Sequence, residues 1–136
     1  MHGKRLIVNS ILSIYLASSC TLGHAKTAAH RSTLRAHSGL ASYYSDRFQG
    51  RRTANGERFD QRGFTAMHRT LPFGTRLRVT NVSNNRSIEV RVNDRCRSRS
   101  GPALDLSRRA AEELGFLRSG LARVTYEIIK PTGEDG

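Results

Sequence analysis

The chain has 136 residues, with 23 Lys+Arg against 11 Asp+Glu and a formal net charge of +12; that length makes one domain, or two at most. Hydrophobic residues are 37% and aromatic residues 7%, enough for a modest packed core. No apolar run reaches the ~18 residues of a membrane-spanning helix, two cysteines exclude a disulfide framework or a cysteine-rich zinc site, and no glycine-rich phosphate loop occurs.

Lys4 and Arg5 precede a short apolar stretch, residues 6–17 (LIVNSILSIYLA), and small residues follow. That order describes a secretory leader. Gly23-His24-Ala25 sets small residues where a signal peptidase reads them, so residues 1–25 are expected to be removed. The alternative is lipid attachment at Cys20, after Ala17-Ser18-Ser19, although Ala17 stands where such signals usually carry a large apolar residue. Either route predicts an exported protein of the periplasm or cell envelope, and a lipid anchor would run through Cys20. Without residues 1–25 the chain keeps 21 Lys+Arg and 11 Asp+Glu, a net charge of +10 on 111 residues. Such a charge suits polyanions, and export makes nucleic acid the poorest of these. For any single arginine, a solvated strand face is the simpler account.

Residues 26–37 are polar and without period, a tether. From Ser38 to about Lys130 the pattern is that of one domain of short strands, and residues 131–136 form a tail. Residues 39–44 (GLASYY) are a strand candidate, and Asn55-Gly56 marks a turn. Residues 76–81 (RLRVTN) and 87–92 (SIEVRV) alternate apolar and polar around Ser83-Asn84-Asn85, which predicts a β-hairpin. Leu104-Asp105-Leu106 is a short apolar piece. Ser107 stands where an N-cap belongs, residues 108–114 suit a helix with Ala110, Ala111 and Leu114 on one side, and Gly115 stops it. Residues 122–129 alternate again as the last strand. Many short strands with one short helix suggest a mainly-β fold, a small barrel whose closure removes exposed edges.

No nucleophile elbow and no metal-ligand spacing is present, and no cofactor is implied. Acids and amides in loop-like stretches remain: Asn55, Glu57 and Asp60; His68 within residues 65–70; Asn93, Asp94 and Arg95; and Asp105. Lone acids in a basic chain are usually ion-pair partners, which accounts for Asp46, Glu89, Glu112 and Glu113. Asp94 differs, because it ends a buried alternating strand and so sits at the barrel rim. There it would be half desolvated, the setting that suits a carboxylate to acid work, with Asn93 and Arg95 beside it to orient it. Asp105 could instead serve the helix dipole.

Residues 39–44 (GLASYY), 50–60 (GRRTANGERFD), 65–75 (TAMHRTLPFGT) and 90–95 (VRVNDR), with Leu104-Asp105-Leu106-Ser107 before the helix, resemble the rare lipoprotein A (RlpA) family. The resemblance runs from Gly39 to about Ile129. It implies a six-stranded double-psi β-barrel and an exported peptidoglycan lytic transglycosylase, which cuts between N-acetylmuramic acid and N-acetylglucosamine and leaves a 1,6-anhydro end. The family's functional positions fall on Glu57, His68 and Asp94, and the Asp-Leu-Ser element of expansin-like barrels on Asp105-Leu106-Ser107. Asp94 is the expected acid/base, with Asp105 the second candidate. His68 is expected to bond to the sugar or to Asp94, and Glu57 to position substrate or stabilise the oxocarbenium-like charge. Tyr43, Tyr44, Asn55, Asp60, Thr65, Asn93 and Arg95 are the expected substrate contacts, with Tyr43 and Tyr44 acting as an aromatic pair. No metal is expected, and the chain is expected to work as a monomer on glycan strands. Two departures stand out: Cys96-Arg97-Ser98 replaces the family's usual Gly-Pro-Phe, and the sequence ends soon after the barrel, so targeting to the division site is not an expectation the resemblance carries over. The alternative functions are a non-catalytic, expansin-like wall-binding or wall-loosening protein, and a secreted barwin-like effector.

Overall fold

The computed structural model describes residues 35–129. The expected leader, Cys20, the tether up to residue 34 and the tail lie outside these residues. The alternating runs pair as the sequence predicts. β3 (Arg76–Asn81) and β4 (Ser87–Asp94) are antiparallel, with Leu77 opposite Val90 and Val79 opposite Ile88. Asn85 makes the turn at φ 61°, a left-handed conformation that asparagine tolerates.

β6 (Ala122–Ile128) lies antiparallel along the other edge of β3, and β1 (His37–Tyr43) antiparallel to β6. β1 thus starts at the last residue assigned to the tether. β5 (Leu104–Leu106) runs parallel to β1, and β2 (Thr65–Met67) bridges β5 and β4, which closes the ring β1-β5-β2-β4-β3-β6. Residues 65–67, read from sequence as loop, are therefore a strand. Three residues are too few to display a period of two, and β2 is defined by pairing on both its edges. Residues 44–64 cross from β1 to β2 and residues 95–103 from β4 to β5, strands that are not neighbours in the ring, and these two connections later carry the site.

Strand alternation puts Ala41, Ala66, Leu77, Val79, Val90, Val92, Leu104, Leu106 and Val124 in one buried core. The short helix α1 (Arg108–Glu113) adds Ala110 and Ala111, and Leu114 follows. Each fully buried Leu or Val contributes ~1.5–3 kcal/mol. Ser107 caps α1 by accepting from the Ala110 N–H, and its hydroxyl also donates to the Gly63 carbonyl at 2.5 Å. At the other end the side-chain amides of Asn81 and Asn84 both donate to the Leu114 carbonyl at 2.8 Å. Gly115 then turns away at φ 76°, where a Cβ would stand 2.7 Å from Asn84 Nδ2. Among the described residues no helix is long and apolar enough to cross a membrane.

Candidate active site

Across the wall β1-β5-β2-β4, Ser42 lies opposite Asp105, Asp105 opposite Met67, and Met67 opposite Asp94. Leu104 and Leu106 point into the core, so Asp105 between them points outward. Plain alternation would turn Asp94 the way of Val92, into the barrel. The register prevents this. Ala66 pairs with Val92 but Met67 with Asp94, so β4 spends an extra residue, Asn93, at that step. A bulge of this kind re-aims the side chain that follows it, and Asp94 joins Asp105 on the outer wall. Their strands are two spacings apart, about 10 Å between backbones. The side chains are close enough for the Asp94 charge to act on Asp105.

Each acid is held from the next outward positions of β1 and its continuation. The Tyr44 hydroxyl donates to Asp94 Oδ2 at 2.5 Å, and the Ser42 hydroxyl bonds Asp105 Oδ1. Asp94 Oδ1 also accepts from the backbone N–H of Ala54 at 2.8 Å and of Arg95 at 2.9 Å. The Tyr44 ring is fixed by Phe59, at 4.5 Å between centroids, and by Phe48 at 5.6 Å. Burial first, then the bond to Asp94, push the Tyr44 hydroxyl far above its ordinary pKa, so it remains a donor. Asp105 is pushed up by burial and then by the charge of Asp94, which favours its proton-carrying form.

Glu57 is a fully committed ion. Arg91 grips both its oxygens at 2.7 and 2.8 Å and Asn93 Nδ2 lies at 3.3 Å from Oε2. These bonds, Arg91 foremost, hold its pKa down at about 2. His68 stands at the end of β2. Its Nδ1 accepts from the backbone N–H of Thr70 at 3.2 Å and of Leu71 at 3.0 Å, which leaves the proton of the neutral ring on Nε2, 3.4 Å from the Tyr126 hydroxyl. Burial, then the charges of Arg95, His37 and Arg69, lower its pKa, so the ring is a neutral donor.

The expected site residues divide accordingly. Asp94, Asp105 and Tyr44 come together on the outer wall. His68 touches Asp94 only through its backbone, with N–H donating to the Asp94 carbonyl at 3.3 Å; its ring bonds Tyr126 rather than the carboxylate. Tyr43 and Tyr44 do not share a face, because consecutive strand residues face opposite ways. Tyr43 turns inward to Phe116 and donates to the Leu117 carbonyl at 3.1 Å. Asn93 does not orient Asp94, because its side chain serves Glu57. Arg95 does so through its backbone N–H, while its guanidinium reaches the His68 carbonyl at 2.9 Å and covers the Phe73 ring at 4.5 Å. Asn55 organises the turn, with Oδ1 accepting from the Thr53 hydroxyl at 2.6 Å and the Glu57 N–H at 3.1 Å. Asp60, partly exposed, is held at about 2 chiefly by Arg62. Thr65 begins β2, two residues before the acid row, with its hydroxyl buried and unpartnered among the described residues. Asp105 bonds across to Ser42 and so does more than complement the helix.

Ser42, Gln61 and Tyr126 were not singled out from sequence. Ser42 was accessible, since it lies two residues before Tyr44 on the same strand face. Gln61 was not: its Nε2 donates to the Tyr44 carbonyl and its Oε1 accepts from the Arg108 N–H, links that only the fold creates. Among the described residues no three His, Cys, Asp or Glu side chains gather as a metal site would need.

Fold and site together define a small double-psi β-barrel with two carboxylates on its outer wall. The family model described as lytic transglycolase matches residues 36–126, and the chain belongs to that family. It is 42% identical over 128 residues to a probable endolytic peptidoglycan transglycosylase RlpA of Synechocystis sp., covering 93% of this chain and 40% of that protein. Against the endolytic peptidoglycan transglycosylase RlpA of Neisseria meningitidis serogroup A it is 48% identical over 93 residues, 68% of this chain and 39% of the relative. Against that of Pseudomonas aeruginosa it is 50% identical over 93 residues, 68% of this chain and 27% of the relative. The chain therefore spans well under half the length of these relatives. Among solved structures, a Streptomyces papain inhibitor aligns with TM-score 0.57 and 25% identity over 71% of this chain and 96% of that one. The apo expansin of Clavibacter michiganensis aligns with TM-score 0.57 and 25% identity over 73% and 53%.

Proposed function

We propose that the chain is a peptidoglycan lytic transglycosylase that cleaves the β-1,4 bond between N-acetylmuramic acid and N-acetylglucosamine and closes a 1,6-anhydro ring. The observation that carries this is the Asp94–Asp105 pair, two outward carboxylates in unlike surroundings within a family of lytic transglycolases. Two carboxylates whose surroundings differ can divide acid and charge-stabilising roles. Asp105, whose pKa is raised by burial and by Asp94, is assigned the proton. It passes that proton to the glycosidic oxygen as the bond to C1 breaks and the N-acetylglucosamine leaves as a free 4-hydroxyl. The resulting carboxylate then takes the proton of the muramic acid 6-hydroxyl as that oxygen bonds to C1. One group serves as acid and then as base, and no water is consumed. Asp94, fixed by three donors, faces the positive charge that develops at C1. The neutral Nε2–H of His68 is a donor to sugar oxygens. Glu57 anchors residues 44–64 over the wall through Arg91. Sequence reasoning ranked Asp94 first as the acid; the surroundings of Asp105 support giving it the proton and Asp94 the charge.

The exported setting expected from the leader puts the enzyme where this polymer is. Mass spectrometry of digested sacculi tests the reaction. Anhydromuropeptides are the expected product, whereas new reducing ends in their place would mean hydrolysis, and no product would leave wall binding as the function.

A further inference from the structure

The charges around the site are unbalanced in two directions at once. Several acids of the described barrel are matched with arginines: Glu57 with Arg91, Asp46 with Arg108, Asp60 with Arg62, and Glu89 with Arg76 and Arg78; away from the site Glu112, Glu113, Arg86, Arg118 and Arg123 are in no ion pair among the described residues. Asp94 and Asp105 have no cation within ion-pair distance among the described residues. On the two connections flanking them, the guanidiniums of Arg47, Arg51, Arg97 and Arg99 make no ion pair and no hydrogen bond among the described residues.

Arg47 and Arg51 are not placed at random. Both lie over the Phe48 ring, at 5.0 and 5.5 Å from its centre. That ring packs on Tyr44, whose hydroxyl holds Asp94. The stacking keeps two cations beside the acid pair without neutralising them. Arg97 and Arg99 lie on the exposed stretch directly after Asp94 and Arg95, on the other connection. By contrast Arg52 and Arg58, in the same segment as Arg51, are used up on the backbone carbonyls of Gly56 and Gly50.

An acid pair without cations repels anions at the point of cleavage, whereas free arginines at the rim attract them nearby. A ligand matching both is uncharged at its reacting bond and anionic in its side branches. Resting on the reading of this site as a glycan-cleaving centre, we infer that Arg47, Arg51, Arg97 and Arg99 form a carboxylate-binding rim. This rim takes the acidic groups carried by alternate sugars of the strand and so selects muramic-acid-containing glycan over uncharged β-1,4 N-acetylglucosamine polymer. Those carboxylates come from two sources, the stem peptides or the lactyl group left when the peptides are removed.

Binding is measured with the Asp105→Asn protein, which lacks the proposed acid and does not consume its ligand, on intact sacculi, amidase-stripped sacculi and chitin. Expected is retention on the sacculi, little on chitin, and about fivefold or greater loss of sacculus binding in R47Q/R51Q/R97Q/R99Q, as four exposed pairs worth a few tenths of a kcal/mol each would give. R86Q/R118Q, with charges removed outside the two connections that flank the acids, serves as the control for net charge and should lose less. Loss of the arginine effect on stripping assigns the rim to stem-peptide carboxylates, and its persistence assigns it to the lactyl carboxylate. Equal binding to chitin, no effect of the four substitutions, or an equal effect of the control pair overturns the inference. The two readings fail separately. Arginine-dependent binding without anhydro products in the wild type would sink the reaction and keep the rim; anhydro products with arginine-independent binding would do the reverse.

Discussion

Tyr44 shows how one hydroxyl can fix a carboxylate. Its ring is held by Phe48 and Phe59 and its hydroxyl sits 2.5 Å from Asp94. Tyr44→Phe keeps the ring packing and removes only that bond. A hydrogen bond to a charged group is worth about 1.5–3 kcal/mol, so kcat should fall by roughly 10–100-fold with KM little changed. A pure rise in KM would instead make Tyr44 a sugar contact. Glu57 is tested by pH. Its folded pKa, about 2, lies below the ordinary ~4.3, so the Arg91 pair contributes stability above ~4.3 and loses it as pH falls towards 2. Glu57→Gln should lower the Tm at neutral pH, and the gap to wild type should close across that acidic window. The pair is partly exposed, so the difference should be no more than about 1 kcal/mol.

At the scale of elements, the short pieces carry the most. α1 has six residues, too few to persist alone, and Ser107 ties it to β2's approach by capping Ala110 and bonding Gly63. Ser107→Ala should cost about 1–2 kcal/mol, read by urea denaturation, and an unchanged midpoint would show that packing of Ala110 and Leu114 suffices. The hairpin β3–β4, β6 and the Ser107 cap were legible because each rests on local chemistry: alternation, turn residues, a hydroxyl before a helix. β2 was not, since three residues carry no period. Nor was the orientation of Asp94, since one extra residue in β4 reverses a face and only the partner strand reveals it. The separation of Tyr43 from Tyr44 was implicit in strand periodicity, whereas the burial that distinguishes Asp105 from Asp94 is a product of the closed ring.

The whole molecule is a cation. If residues 1–25 are removed, its net charge is +10, and exposed charges are screened beyond ~10 Å at 0.1 M salt. Retention on sacculi should therefore fall steadily between low and high salt. Salt-independent retention would show that sugar contacts dominate. The outer wall of one small barrel thus brings Asp94 and Asp105 together, and the proposed reading divides the work between them.

The proton holder is the central claim. Burial raises the folded pKa of Asp105, so its ionised form opposes folding: stability from this group is fullest at low pH and declines as pH rises through the folded value. Asp105→Asn should accordingly fold, with a Tm at neutral pH equal to or above wild type. The decisive measurement is the initial rate of anhydromuropeptide formation by this folded variant. Removal of a positioned acid/base predicts a loss of ~10²–10⁴ with binding to sacculi retained. A near-wild-type rate from Asp105→Asn, with the rate lost in Asp94→Asn, would contradict the account and move the proton to Asp94.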